Sequence, residues 1–212
     1  MNDLASSFLY IASGVVLTLK LLLGSVFFGL IFGTLLAIFR HRGVCRPVIS
    51  AVVSIIRGTP VMLQLSVVYF IIPQLLGKRL DIVSTGILAF GINSSAYVSE
   101  ILRSGIESLS KGQFEAARSL GIPNFYMWKD IILPQVVMNI FPALINEAVT
   151  LLKETALITT IGGMDIMRRS QIVAANQYEY FIPLCIAAAV YYILVLSIEF
   201  IGRKVEGLKF KC

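Results

Sequence analysis

Residues 115–134 read EAARSLGIPNFYMWKDIILP, a polar interruption in an otherwise apolar chain. Residues 115–120 favour a short helix, and Gly121 can end it because glycine adopts the left-handed conformation without steric cost. Pro123 cannot continue that helix, but a second helical segment can start immediately after a proline. The pattern therefore predicts a compact helix–glycine–helix elbow at a membrane surface, apolar behind and exposed at its tip. We expect such an elbow to serve as a docking element.

The bulk composition is that of a membrane protein. The chain has 212 residues, of which 57% are hydrophobic and 14% are charged, and its mean hydropathy is +0.85. A soluble domain of this size cannot bury so much apolar surface, so the chain is expected to cross a membrane several times. We attribute its net charge of +6 to membrane orientation and attraction to anionic lipid, and we expect no nucleic-acid partner.

No pattern indicates a cofactor, a metal site or a cleaved leader. The three cysteines, Cys45, Cys185 and Cys212, share no spacing typical of metal sites, redox motifs or disulfide frameworks. The single histidine, His41, lies in a basic turn without a visible catalytic or metal-binding partner. The first residues lack a basic segment and a cleavage site, so we expect residue 1 to be the mature start.

Apolar segments long enough to span a bilayer recur five times. About 20 apolar residues suffice for one helical span. The five segments are residues 14–39, 50–76, 82–101, 136–152 and beyond, and 181–201. Gly58 and Pro60 together break a helix, so a bend or restart is expected at Pro60. Residues 164–180 are polar and predict an extramembrane turn or short surface helix. The whole predicts one all-α membrane domain, 1–212, with its core at about 14–203.

The third predicted span carries a polar stripe. Asn93, Tyr97, Glu100 and Ser104 fall within roughly 60° of one another on a helix. Polar groups that face lipid are costly, so this face is expected to point into the protein. Asn93, Tyr97 and Glu100 are therefore candidates for a translocation path. Hydrogen bonding between helices explains Asn93 and the serine equally well.

A second polar stripe lies on the fourth predicted span. Its members share an arc of roughly 120°. They are Asn146, Glu147, Thr150, Lys153 and Glu154. Two carboxylates and an ammonium group in an apolar segment are costly unless they pair or line a water-filled cavity. Glu147, Thr150, Lys153 and Glu154 are therefore candidates for the translocation path, and a buried structural ion pair remains the alternative.

The basic residues predict an orientation in the membrane. Of the 18 Lys and Arg residues, four lie in 40–57, four in 103–129 and four in 203–211, all on one side of a five-span topology. The opposite side holds Lys78, Arg79, Arg168 and Arg169. Because basic residues concentrate in the cytoplasm, the elbow and the C-terminus are expected inside and the N-terminus outside.

The elbow also carries a complete spacing pattern, Glu-Ala-Ala, three residues, Gly, nine residues and Ile-x-Leu-Pro. The positions are Glu115, Ala116, Ala117, Gly121, Ile131, Leu133 and Pro134. This pattern resembles the cytoplasmic loop of the permease subunits of bacterial ABC importers. The pairs Gly112-Gln113 and Pro134-Gln135, RGTP at 57–60 and KET at 153–155 resemble the branch that carries polar amino acids, with Glu154 where Asp is commoner.

The resemblance implies a type I importer transmembrane domain in the bacterial inner membrane, with a coupling loop at 103–135. It implies a complex of two permease subunits, identical or homologous, two cytoplasmic ATPase subunits and an extracytoplasmic solute-binding protein. No Gly-x4-Gly-Lys-Ser/Thr pattern occurs, so ATP hydrolysis is expected in a separate subunit and the chain is not expected to be an enzyme. ATP binding would then draw the elbows together and rock the helices between inward- and outward-facing states.

Other functions fit parts of the pattern. An ATP-independent channel or secondary carrier for a small polar solute would share the spans and stripes, but it would not need the elbow. A surface helix that only connects two spans would need no such motif. An intramembrane enzyme lacks a candidate base, because there is no His-Glu-x-x-His and His41 lies away from both stripes. Lys153 suits acidic or neutral substrates and Glu147 or Glu154 suits basic ones, so the amino acid carried stays open.

Overall fold

Helices form nearly all of residues 2–209, the part of the chain that the computed structural model describes, and no strand occurs there. The α-helices in chain order are α1 (Asn2–Ala12), α2 (Val15–His41), α3 (Arg46–Gly58), α4 (Val61–Ser66), α5 (Ile72–Leu76), α6 (Ile82–Glu107), α7 (Lys111–Ser119), α8 (Asn124–Tyr126), α9 (Leu133–Glu154), α10 (Ile166–Gln177) and α11 (Phe181–Lys209). A π-helical segment joins α4 to α5 and another joins α8 to α9, and a 3-10 helix, Thr155–Ile161, follows α9. Cys212 lies outside the described residues.

Within residues 2–209, four helical stretches are long and apolar enough to cross a membrane. They are Leu4–His41, Ile82–Glu107, Asn124–Ile161 and Phe181–Gly207. The pair Arg46–Gly58 and Val61–Leu75 passes the same test together, although it is bent by 103°, and makes a fifth candidate span. The all-α membrane fold with four to five apolar spans is therefore confirmed.

The break expected at Pro60 lies between α3 and α4. A proline cannot donate a helical backbone hydrogen bond, so the end of α3 needs other partners. Gln64 supplies one, because its Nε2 donates to the Ile56 carbonyl at 2.7 Å and to Thr59 Oγ1 at 3.0 Å. The side chain of one helix thus closes the end of the preceding helix and fixes the bend.

The helices α2 and α6 pack closely along their length. Gly33 on α2 explains how they approach, because a Cβ there would lie 2.7 Å from the Ser95 carbonyl oxygen and 2.7 Å from Val98 Cβ. Small residues allow such close contacts between membrane helices. A larger residue at position 33 would push α2 and α6 apart.

The start of α6 is fixed by Asp81. One carboxylate oxygen accepts hydrogen bonds from the backbone N–H groups of Val83 and Ser84, both at 3.1 Å. This is a helix N-cap, which satisfies donors that the first turn leaves free. A hydrogen bond from the Ser84 side chain, followed by the backbone bonds, holds the pKa of Asp81 below its ordinary value of 3.8.

The sequence did not predict α1. Ile11 at its end is fully buried against Ile166 of α10 and Val190 of α11. Gln177 Nε2 also donates to Ser7 Oγ at 3.0 Å, which ties the end of α10 to α1. Within residues 164–180, expected to be an extramembrane turn or short surface helix, Ile166–Gln177 form α10, which packs against α1 and α11. Together these three helices enclose a second small core.

Candidate functional site

The elbow predicted from the sequence forms between α6 and α9. Gly121 follows α7 with φ of +68°, in the left-handed region. Its N–H donates to the Arg118 carbonyl at 3.0 Å, and the Ile122 N–H donates to the Ala117 carbonyl at 3.0 Å. These two bonds make a Schellman cap, which satisfies the last helical carbonyls and redirects the chain. Pro123 then precedes α8, so the predicted helix–glycine–helix geometry is confirmed.

The back of the elbow is buried against the spans. Met127 and Ile132 are buried in a cluster with Val136 and Ile140 of α9. Half-buried apolar side chains of α6 complete the cluster, namely Ile101, Leu102 and Ile106. Apolar packing therefore fixes the elbow to both α6 and α9.

The tip of the elbow is apolar and exposed. Leu120 is 77% exposed and Phe125 is 68% exposed, and Tyr126 beside them is exposed as well. The Lys129 ammonium lies 5.9 Å from the centre of the Phe125 ring. Large apolar side chains that are exposed on a charged loop indicate a protein-contact surface. The sequence analysis did not select Leu120 or Phe125, although apolar residues within a charged exposed loop were a usable signal.

The seven signature residues divide between the back and the surface of the elbow. Ala117 is buried in the apolar cluster, and Ile131 is half-buried. The remaining five are exposed: Glu115, Ala116, Gly121, Leu133 and Pro134. Within residues 2–209 Glu115 forms no ion pair, so its carboxylate is accessible to a partner.

A pair of amides links the two arms of the elbow. Gln113 Nε2 donates to Gln135 Oε1 at 3.0 Å, and Gln135 Nε2 donates back to Gln113 Oε1 at 2.8 Å. Gln135 Nε2 also donates to the Ile131 carbonyl at 2.7 Å. Reciprocal side-chain bonds of this kind hold both partners in one geometry. They connect α7 directly to the start of α9.

The two polar stripes meet inside the bundle at Asn93 and Glu154. Asn93 on α6 is 2% exposed, and its Nδ2 donates to Glu154 Oε2 at 3.3 Å. Glu147 lies on the same face of α9, two helical turns before Glu154, and is half-buried near Ser94. The Asn93 amide thus satisfies one oxygen of the Glu154 carboxyl group, and this contact joins α6 to α9 inside the bundle.

The rest of the second stripe does not converge on that place. Thr150 and Lys153 are exposed on the isolated chain, as is Asn146. Lys153 makes no ion pair with any residue that the structure describes, although it adjoins Glu154 in sequence. Adjacent residues lie about 100° apart on a helix, so the two side chains leave α9 in different directions. The polar arc predicted on α9 therefore contains both half-buried side chains, which face the bundle, and exposed side chains, which do not.

Glu100 lies in a cluster of arginines. Arg40 Nη1 on α2 donates to Glu100 Oε2 at 2.8 Å, and Arg103 on α6 is hydrogen-bonded to Oε1. Arg57 at the end of α3 lies 3.8 Å from the same carboxylate, and its guanidinium lies 5.1 Å from the centre of the Tyr97 ring. Three helices thus meet at one carboxylate that is only 20% exposed. The sequence placed Glu100 and Tyr97 on one stripe but did not identify their arginine partners.

A buried network that the sequence analysis missed surrounds Asp165. Tyr191 Oη donates to Asp165 Oδ2 at 2.9 Å, and Thr159 Oγ1 donates to Oδ1 at 2.8 Å. The Arg168 N–H adds a third bond at 2.9 Å, as expected for a helix N-cap. Asp165 is fully buried. Its position just before the apolar residue Ile166 was the available signal. The network joins the 3-10 helix, α10 and α11.

Sequence comparison identifies the family. Residues 29–207 match the binding-protein-dependent transport system inner membrane components. The chain belongs to this family. It is therefore a multi-pass inner-membrane transport component, and the family implies an ATPase and a binding protein as partners. Such permease subunits are not enzymes, because ATP is hydrolysed in a separate subunit.

Similar permeases cover almost the same length. A Rickettsia conorii protein that is provisionally named a glutamine transport system permease is 49% identical over 199 residues, 93% of this chain and 91% of that protein. The Bacillus subtilis arginine transport system permease ArtQ is 46% identical over 200 residues, 93% of this chain and 91% of ArtQ.

Solved transporter structures share the fold. The crystal structure of an amino acid ABC transporter with histidines matches with a TM-score of 0.85 and 36% identity, covering 93% of this chain and 92% of that one. An inward-facing MetNI methionine ABC transporter matches with a TM-score of 0.77 at 20% identity, covering 94% of this chain and 95% of that one. The second likeness concerns the fold alone. The fold is that of the type I importer permeases.

The part of the chain that the structure describes contains no evident metal site. Among the residues that the structure describes, no group of three or more His, Cys, Asp or Glu side chains is arranged to hold a metal ion. The acidic groups instead meet hydrogen-bond donors, as Glu154 does at Asn93 and Asp165 does at Tyr191.

Proposed function

We propose that this permease is the transmembrane subunit of an ATP-driven importer of polar amino acids, with residues 1–212 acting as one domain. The elbow carries this proposal, because its back is packed into the spans and its tip is apolar and exposed. The relatives named for glutamine and arginine transport support the class of substrate. The functional core is residues 14–203, and the coupling loop is residues 103–135.

The partners follow from the same assignment. Two cytoplasmic ATPase subunits bind the elbows, one on each of two permease subunits that are identical or homologous, and an extracytoplasmic binding protein delivers the substrate. Of the seven signature residues, Glu115, Ala116 and Gly121 form the ATPase contact together with the tip residues Leu120 and Phe125, while Ala117, Ile131, Leu133 and Pro134 hold the elbow in position for it. ATP binding favours the closed ATPase dimer, and this preference selects one permease conformation over the other.

Motion at the elbow is transmitted to the middle of the membrane. The buried cluster around Met127 and Ile132 fixes the elbow to α6 and α9, and the Gln113–Gln135 pair adds a polar link. The helix α6 carries Asn93 and α9 carries Glu154, so a rotation of the elbow changes the contact between these two side chains.

The translocation path runs past this contact. Asn93, Glu154 and Glu147 supply polar and acidic groups inside the bundle, and Thr150 and Lys153 lie on the open face of α9 where a second permease would sit. Tyr97 and Glu100 line the cytoplasmic end of the path beside the arginine cluster. Every amino acid carries an ammonium group, and these carboxylates are suited to bind it.

The coupling assignment is tested at Gly121. Its φ of +68° is unfavourable above all for a β-branched residue, while no atom lies within 4 Å of the place where a Cβ would stand. Gly121→Val combined with Glu115→Lys should leave membrane insertion intact and reduce ATPase binding and substrate-stimulated ATP hydrolysis. Gly121→Asn is the matched control, because asparagine tolerates the left-handed region. Normal uptake by the Val/Lys variant would exclude coupling through the elbow.

The path assignment is tested at Glu154 and Lys153. Glu154→Gln and Lys153→Met are compared for abundance in the membrane and for uptake of arginine, glutamine and glutamate. A path role gives near-normal abundance with altered preference among the three substrates. A purely structural role would instead lower abundance in the variants and leave the preference among the three substrates unchanged.

We propose the orientation that the basic residues predict, with the elbow and the C-terminus in the cytoplasm and the N-terminus outside. A variant that retains only Cys45, which is exposed after α2, tests this arrangement. A membrane-impermeant thiol reagent should leave Cys45 unlabelled in intact cells and label it after permeabilisation. A Lys78→Cys variant without the native cysteines is the control, and it should be labelled from outside. Labelling of Cys45 in intact cells would reverse the topology.

A further inference from the structure

A groove opens where α2 and α6 end and α9 begins, next to the elbow. Its volume is about 380 Å³, within the roughly 300–1,000 Å³ typical of small-molecule sites. It is lined by Thr34, Ala37, Ile38, His41, Arg42, Leu102, Ile106, Trp128, Leu133 and Val136. It shares none of its lining residues with the Asn93–Glu154 contact or the Glu100 cluster.

The walls of the groove are apolar and open to the surroundings of the bundle. Ile38 is 44% exposed on the last turns of α2, and Leu133 is 47% exposed at the start of α9. The floor is closed by the buried side chain of Val136. Apolar surface at the end of a membrane span is in contact with lipid chains. The groove has the lining that a hydrocarbon chain requires.

The mouth of the groove is basic and aromatic. Within residues 2–209 Arg42 forms no ion pair, whereas Arg40, two residues earlier, is held by Glu100. The His41 ring meets the Trp128 indole edge to face, with 5.0 Å between the ring centres. Tryptophan and arginine at the end of a span are the side chains that contact lipid head groups. An unpaired cation beside an apolar groove calls for an anionic head group.

We propose that an anionic phospholipid binds this groove, with one acyl chain between Ile38 and Leu133 and its phosphate at Arg42. The lipid comes from the leaflet that contains the elbow. Because Trp128 belongs to the elbow and Arg42 to the end of α2, the bound lipid connects these two elements. Its occupancy then influences the position of the elbow, so membrane composition regulates the transporter. This role is additional to the proposed transport function and does not depend on the substrate.

Trp128 makes the proposal directly measurable, because it is the single tryptophan of the chain. The full-length permease is placed in nanodiscs of phosphatidylcholine that contain a small fixed fraction of lipid with brominated acyl chains. Bromine quenches indole fluorescence only at short range. Brominated phosphatidylglycerol should quench Trp128 more strongly than brominated phosphatidylcholine at the same fraction. Equal quenching by both lipids, or quenching by neither because protein covers the groove, would overturn the proposal.

Two matched pairs of variants locate the effect. Arg42→Gln should reduce the preference for phosphatidylglycerol about fivefold, since one basic residue near the surface contributes about 1 kcal/mol. Arg46→Gln, in the same basic turn but outside the groove, should leave most of the preference intact. Equal losses in both variants would indicate general surface attraction and would contradict a defined site.

The second pair tests the acyl-chain part of the groove. Thr34→Phe places a ring in the groove from an exposed position on α2, so it should abolish the excess quenching. Leu35→Phe, one residue later and outside the groove, should not. Unchanged quenching with Thr34→Phe would show that the chain does not lie there.

Discussion

Gly105 of α6 lies beside the elbow, where the backbone of α6 is in very close contact with side chains of α9. A Cβ at residue 105 would lie 2.1 Å from Ile140 Cγ2 and 3.4 Å from Val136 Cγ1. Carbon atoms do not pack at 2.1 Å, and Ile140 belongs to the buried cluster behind the elbow, so a Cβ at residue 105 forces this packing to change. We therefore expect Gly105→Ala to separate α6 from α9.

The magnitude follows from two opposing effects. Overpacking of this severity costs about 3 kcal/mol, the upper end of the usual range. Replacing glycine by alanine inside a helix returns about 1 kcal/mol. The free energy of unfolding should therefore fall by roughly 2 kcal/mol, which lowers the melting temperature by about 4–8 °C for a chain of this size.

The assay is thermal unfolding of the purified permease in detergent, with Gly207→Ala as the control. Gly207 also lies in a helix, but no atom lies within 4 Å of its Cβ position, so this variant should melt at or above the wild-type temperature. Ile140→Ala removes the clashing methyl group and should partly restore Gly105→Ala, whereas Ile140→Val retains Cγ2 and should not. Two results would refute the packing argument. One is a wild-type melting temperature for Gly105→Ala, and the other is equal rescue of Gly105→Ala by Ile140→Ala and by Ile140→Val.

Three further predictions concern the polar clusters and use the same unfolding assay. Arg40→Gln should lower the free energy of unfolding by roughly 1–3 kcal/mol. This is less than complete loss of a buried ion pair costs, because Arg103 still neutralises Glu100. An unchanged melting temperature would contradict the ion-pair cluster at Glu100. Asp165→Ala removes the acceptor of three hydrogen bonds and should lower the free energy of unfolding by more than about 3 kcal/mol. Tyr191→Phe removes one of these bonds and should cost about half of that. Equal losses in the two variants would contradict the hydrogen-bond network around Asp165. The pKa of Asp81 is lowered in the folded protein, so the Asp81 carboxylate stabilises the fold fully above its unfolded-state pKa. This contribution disappears as the pH falls through the folded-state pKa. The wild type should therefore lose it in acid, while Asp81→Asn should show no such step.

Local features of the sequence were sufficient to predict the elbow. A left-handed glycine, a proline two residues later and apolar residues at fixed spacing all act within 20 residues. The bend at Pro60 was predictable for the same reason. Membrane spans were equally accessible, because hydropathy depends on composition and not on which helices become neighbours.

Contacts between distant segments were not predictable in this way. Arg40 and Glu100 are 60 residues apart, and Asp165 and Tyr191 are 26 apart, so neither pair leaves a periodic pattern. The helix α1 was missed because its apolar side chains are buried against α10 and α11, which are distant in the sequence. The divergence of Lys153 from Glu154 could have been deduced, since neighbouring residues on a helix never share a direction.

The exposed tip of the elbow has a consequence for the life of an unassembled subunit. A permease made in excess over its ATPase presents Leu120 and Phe125 to water, and solvent-exposed apolar groups of this size promote aggregation. Chaperones and proteases recognise such groups, so orphan copies should have shorter lifetimes than assembled ones. The surface that we propose as the ATPase contact thereby also reports whether assembly is complete, and balanced synthesis of the subunits becomes a requirement for accumulation of the permease.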